Sequence, residues 1–376
     1  MVADWEKIRA EFPALAGWTY LNTATFGQLP RRATEAMARH LAHRDELACS
    51  DFLTWFEDAN QIRGLVARLI HCQPSDIAFV PNAATALSLL IGGIDWRPGD
   101  RIVTLEDEFP NNLYYPALCR RRGIEFVETR WEGFHQAVTP RTRLVAISEV
   151  NYTNGFRPPL VEIAQCLRER DILLYVDGTQ SLGALTFDVD EIPVDMYAVH
   201  AYKWLLSPNG AGFMYVQPSL RERLQPNVIG WRSHRDWRSV DNLHHGAPEF
   251  ASEAEKYEGG MLTFAVLYGM QASLEMILEI GPEAIEGRDL ELAECARASL
   301  RRLGARLPGD ESPYFNSPIV AARFEGRDAS WIAREMKARR VLISARHNNL
   351  RVSTHFYNNE EDIERLAREL KSVLAG

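Results

Sequence analysis

Between Asp171 and Val216 the chain repeats one pattern: a short apolar run that stops abruptly on polar residues. Residues 172–176 run into Asp177-Gly178-Thr179-Gln180, and residues 196–199 end on His200-Ala201-Tyr202-Lys203-Trp204. Residues 212–216 follow a Ser207-Pro208-Asn209-Gly210 turn. Apolar runs of this length, bounded by turn residues, read as buried strands. An acid and a lysine then stand at the mouths of two strands, where ligand sites of open α/β sheets collect. A lysine among aromatic neighbours there is partly desolvated, so its pKa falls and its amine becomes a nucleophile toward carbonyls. The spacing by itself fits a plainer pair equally well, with Asp177 as a helix N-cap and Lys203 as a solvated loop lysine.

The alternation continues upstream. Strands are expected at 76–80, 101–105, 124–127 and 144–147, with helical patterns at 3–14, 30–70, 86–91 and 159–170. Such alternation predicts an α/β fold with a largely parallel sheet covered on both faces. After strand 76–80, Pro81-Asn82-Ala83-Ala84-Thr85 leads into a helix, and a helix N-terminus of this kind is a ready anion site. A long apolar helix at 262–280 ends at Gly281-Pro282, which marks a boundary. Helices at 284–303, 329–339 and 359–374 and strands at 319–324, 341–343 and 350–353 then predict a smaller α+β domain. The expected division is an N-terminal arm at 1–25, a large domain at 26–280 and a small domain at 281–376.

Composition narrows the partners. The formal net charge of −9 argues against nucleic acid, which needs clustered Lys and Arg. No apolar stretch reaches membrane-spanning length, and the charged N-terminus lacks the apolar core of a signal peptide. The five cysteines are scattered without Cys-x-x-Cys spacing, which suits a reducing cytoplasm. The His244-His245 pair points its side chains apart and has no carboxylate or cysteine at ligand spacing, so no metal is expected.

The blocks VDGTQSLG, DMYAVHAYKWL and NGAGFMYV resemble the core of the class V aminotransferases, fold-type I enzymes that depend on pyridoxal phosphate. The resemblance extends over nearly the whole chain. It implies that Lys203 holds the cofactor covalently and that Asp177 faces the pyridine nitrogen. Gln180 would hydrogen-bond the phenolic oxygen. His200 and Tyr202 stand where relatives place serine and histidine on the phosphate. The turn Ala83-Ala84-Thr85 would also meet the phosphate, although the family's usual threonine is Ala84 here. Phe109 stands where relatives carry a ring-stacking aromatic, often histidine; it can stack but cannot carry protons. A polar residue of the loop 148–155 touches substrate or the phenolic oxygen in the family; by alignment it is Tyr152, with Asn151 and Asn154 left open. Arg351 matches the arginine that clamps the substrate α-carboxylate, for which its planar fork is suited. Gly260 and Met261 would approach the phosphate of a neighbouring subunit, implying a homodimer with sites at its interface.

One absence bears on the reaction. Desulfurases carry a catalytic cysteine ahead of this arginine, and residues 337–350 contain none. The implied activity is transamination, or a cysteine-free C–S β-elimination, at the α-carbon of a small amino acid. Epimerisation of the isopenicillin N epimerase kind is the alternative, and a catalytically silent binding scaffold is the reading from another class.

Overall fold

The computed structural model describes residues 3–243, 246–309 and 312–375. The strands in chain order are β1 (Thr19–Tyr20), β2 (Ile77–Phe79), β3 (Arg101–Leu105), β4 (Glu125–Thr129), β5 (Thr142–Ser148) and β6 (Leu173–Asp177). They continue with β7 (Met196–His200), β8 (Gly212–Val216), β9 (Ile319–Ala322), β10 (Val341–Leu342), β11 (Ser344–Arg346) and β12 (Asn349–Ser353). Seven form the central sheet in the order β2-β8-β7-β6-β5-β3-β4. All pairs from β7 to β4 are parallel, whereas β8 runs antiparallel to both β7 and β2.

Alternation along these strands feeds two separate cores. Val145, Ile147, Leu174, Val176, Tyr197 and Val199 pack into one hydrophobic cluster. Their neighbours Leu144, Ala146, Leu173, Tyr175, Met196 and Ala198 pack into the other. The sheet is therefore dry on both faces, as a crossover-connected sheet must be. Helices Thr54–Ile70, Leu160–Arg168 and Phe264–Ile280 contribute to the first cluster, and helix Ala83–Gly93 to the second.

A second layer is built by β9, β11 and β12, which pair antiparallel in the order β11-β12-β9. Helices Pro282–Arg302, Ala329–Ala338 and Glu360–Ala375 cover it through a third cluster, which takes in Leu21. The chain start is tied to this layer: β1 pairs in parallel with β10, and Asn22 bridges to Ser353.

Three details depart from the sequence expectation. The first helix stops at Arg9, because Pro13 opens a separate 3₁₀ turn and Phe12 before it is non-helical. The helical pattern at 30–70 is two helices, Arg31–Leu47 and Thr54–Ile70, parted where Ala48 and Cys49 turn left-handed. The stretch 344–349 is a β-hairpin, with His347 and Asn348 at φ 48° and 60° as its two-residue turn.

Candidate active site

The carboxyl ends of β3, β5, β6 and β7 open onto one place. Asp177 is the last residue of β6 and Lys203 lies three residues beyond β7. Lys203 is 6% exposed, yet its Nζ has no hydrogen bond or ion pair among the described residues. Its neighbours are rings: Nζ is 5.5 Å from the centroid of Phe109 and 5.4 Å from that of Tyr202. Burial, then the positive charge of Arg351, pulls the amine down to about 7, with Asp177 opposing and Arg346 assisting. Lys203 is thus a buried amine and not the solvated loop lysine of the plainer reading.

The backbone around Lys203 is clamped. Gly27 N–H donates to Tyr202 O at 2.9 Å, and a Cβ at Gly27 would come within 1.8 Å of the Lys203 carbonyl oxygen. On the far side, His355 Nε2 meets Trp204 O at 2.9 Å, while its Nδ1 meets Asp289 Oδ2 at 2.7 Å. Both His355 and Asp289 are fully buried.

Asp177 is likewise buried and has its pKa raised by burial; the Thr179 N–H at 2.9 Å favours its charged form. Thr179 Oγ1 in turn accepts from His200 N–H at 3.0 Å. Among the described residues the His200 ring has no partner for its buried Nε2, and burial and then Lys203 hold it neutral, at about 4. Helix Ala83–Gly93 packs against β7 and β8, and its start is fixed by Tyr175 Oη donating to Ala83 O at 3.1 Å. Asn82 caps it by accepting from both Thr85 N–H and Thr85 Oγ1. Thr85 is thus occupied, and the N–H groups of Ala83 and Ala84 are the ones without an intrahelical acceptor.

Phe109 opens helix Pro110–Leu118 and meets Tyr152 edge-on, with centroids 5.2 Å apart. Buried Glu108 holds this corner, accepting from Ser148 N at 2.6 Å, Asn112 Nδ2 at 3.0 Å and Phe109 N at 3.2 Å. Arg351 on β12 completes the site at 1% exposure. Its Nε, Nη1 and Nη2 donate to Ser344 Oγ (3.1 Å), Tyr152 O (2.6 Å) and Thr25 Oγ1 (2.6 Å).

Lys203, Asp177, Phe109, Tyr202, His200, Tyr152 and Arg351 therefore share one neighbourhood. Other candidates are engaged elsewhere. The Gln180 amide donates to Ala24 O at 3.0 Å and accepts from Trp204 Nε1 at 3.1 Å, which leaves one N–H free. Asn151 builds its own loop: Oδ1 accepts from Thr153, and Nδ2 donates to Asp107 O. Gly260 O accepts from Arg232 Nη1 at 3.3 Å, and Met261 is 59% exposed. His244 and His245 lie outside the described residues. Among the described residues no group of His, Cys, Asp and Glu could hold a metal. No described helix is long and apolar enough to cross a membrane. Thr25, Ser344, Arg346, Glu108 and the Asp289–His355 pair were not singled out as site residues from the sequence.

Residues 19–366 match the family model for class-V aminotransferases. The chain belongs to that family. Full-length class-V relatives include the isopenicillin N epimerase of Streptomyces clavuligerus, 31% identical over 402 aligned residues and 99% of both chains. A probable cysteine desulfurase of Methanothermobacter thermautotrophicus is 25% identical over 98% of both. Among solved structures, an apo cysteine desulfurase from Thermococcus onnurineus NA1 superposes with a TM-score of 0.90 at 20% identity, covering 100% of both chains. The cystine C–S lyase C-DES, bound to its product cysteine persulfide, gives 0.87 at 24% identity, covering 96% of this chain and 99% of that one. This class-V chain has the fold-type I architecture.

Proposed function

We propose that this protein uses pyridoxal phosphate to act at the α-carbon of a small amino acid, as an aminotransferase or a cysteine-free β-eliminating lyase. Pyridoxal phosphate is the cofactor of the class-V family and of this chain. The residues present suit it. Among the described residues His200 Nε2 is a buried polar atom lacking a partner, the helix start offers free N–H groups, and Asp177 is a buried carboxyl in no ion pair. When bound, the cofactor supplies an electron sink for the pair released as a bond at the α-carbon breaks.

The chain's own residues do the rest. Lys203 would hold the cofactor through its amine and would carry the α-proton on Nζ; a pKa of about 7 suits both tasks. Asp177 keeps a ring nitrogen protonated. Ala83, Ala84, His200 and Tyr202 hold the phosphate, with Thr85 supporting the turn through Asn82. Phe109 covers a ring face without moving protons, and Gln180 offers its remaining N–H. Arg351 takes the α-carboxylate with the two of its five N–H groups that its protein partners leave free. Tyr152, ahead of Asn151, lies beside it. Gly260 and Met261 serve the neighbouring subunit of a homodimer.

Desulfuration through a cysteine carrier is disfavoured. The segment preceding Arg351 is the tight hairpin β11–β12, and none of the five cysteines lies on it. Full-length likeness to an isopenicillin N epimerase supports a second reading, epimerisation, in which Tyr152 is the further titratable group at the site.

The observation that carries the proposal is the buried amine without a partner. Borohydride reduction followed by peptide mass analysis should place pyridoxyl on Lys203, and Lys203→Ala should not be labelled. Retention of the adduct in that variant would refute the assignment. A panel of amino acids, with detection of pyruvate, ammonia, keto acids and inverted stereochemistry, separates the three reactions.

A further inference from the structure

Arg351 is not the only guanidinium at the site. In the hairpin, Ser344 pairs with Arg351 and Arg346 with Asn349. Opposed residues and alternate residues share a face, so Ser344, Arg346 and Arg351 point the same way. The two arginines converge on one hydroxyl: Thr25 Oγ1 receives Arg351 Nη2 at 2.6 Å and Arg346 Nη2 at 3.5 Å. Thr25 cannot balance them, since its own proton goes to Asn22 Oδ1 at 2.9 Å. Among the described residues neither guanidinium has a carboxylate partner. Asp107, an acid on this rim, faces His347 at 3.7 Å instead.

Two like charges placed together, one of them buried, cost free energy that only an anion can recover. The mutual effect is visible at Arg351, where burial and then the charge of Arg346 lower the guanidinium. The arrangement is rigid, because the left-handed His347-Asn348 turn fixes the register and a slip of one residue would throw Arg346 to the other face. Arg346 is partly buried and among the described residues makes one short bond, Nη1 to Ala345 O at 2.7 Å. The rest of its fork is available.

We infer that the substrate carries two anionic groups: an amino dicarboxylic acid whose α-carboxylate lies on Arg351 and whose side-chain carboxylate lies on Arg346. This rests on the amino-acid reading above and assigns Arg346 as the residue that sets substrate class.

The test has two arms. In the cofactor-loaded protein, absorbance titrations compare L-aspartate and L-glutamate with their neutral amides, L-asparagine and L-glutamine. A charge-assisted fork should favour one acid over its amide by about ten- to a hundredfold. Arg346→Gln should bring that ratio near one while leaving amide affinity within about twofold, and Arg346→Lys should fall between, because it keeps the charge without the fork. In the cofactor-free protein, calorimetry compares glutarate with the monocarboxylate valerate, and Arg346→Gln should remove the difference. Absence of any acid-over-amide preference, or equal losses for acid and amide in Arg346→Gln, overturns the inference. Silence of every amino acid in the first arm counts against the amino-acid reading, and the dicarboxylate arm then decides the role of Arg346 alone. Far-UV circular dichroism of the variants confirms that they fold.

Discussion

Lys203 is a usable base because of where it is buried, and the sign of that effect can be measured. In the cofactor-free protein, labelling of Lys203 by an amine-acylating reagent should reach half its maximal rate near pH 7, the value about which its amine titrates. An unburied lysine does so near its ordinary value of about 10.4. Arg351→Gln should move the midpoint upward, since Arg351 is the largest charge depressing it. A midpoint that stays in place or falls rules out that coupling. Linkage has the corresponding direction. Between about 7 and about 10.4 the unfolded chain holds a proton that the native chain lacks, so this group makes stability rise with pH across that window. Residue identity was the part of the site most legible in the sequence. Asp177 stands out because an apolar strand ends on it, and Lys203 because one ends three residues before it. Arg346 and Thr25 do not, because their contact spans 321 positions and no local pattern encodes it.

At the scale of elements, the strands of the central sheet could be read closely because both faces are dry, which makes each strand an unbroken apolar run. The reversed direction of β8 could not be read, since an apolar run has no direction. Nor could the β11–β12 hairpin, whose turn is His-Asn rather than the Asn-Gly that usually announces one. Close approach between elements was equally hidden. Gly27 looks like an ordinary loop glycine, but its missing side chain is what lets the chain there lie on the Lys203 backbone. Gly27→Ala should therefore displace the amine. We expect cofactor retention on dialysis to drop and turnover to fall on the order of a hundredfold, as for ångström-scale misplacement of a catalytic group. The far-UV spectrum should stay unchanged. Undiminished cofactor retention would mean that the chain around Gly27 yields instead.

At the scale of the whole molecule, the site is held together from remote parts of the chain. The N-terminal arm brings Thr25, the sheet brings Lys203 and Tyr152, and the antiparallel layer brings Arg351. The fully buried Asp289–His355 pair links helix Pro282–Arg302 to the carbonyl beside Lys203. Asp289→Ala leaves His355 buried without its acid and should cost about 3–5 kcal/mol. Urea unfolding would read this as a lower midpoint at unchanged slope, and a loss under 1 kcal/mol would show that the pair is dispensable. One edge of the central sheet, packed under the 3₁₀ turn Ala254–Tyr257, is held by another buried ionic cluster. Strand β2 is that edge, and its Phe79 N–H is received by Glu258 at 2.8 Å rather than by another strand. The same carboxylate sits between Arg63 and Arg232 with no solvent exposure. One acid therefore stops the sheet from growing sideways, and a variant lacking it would betray itself by self-association through an unguarded margin well before any change in chemistry became apparent.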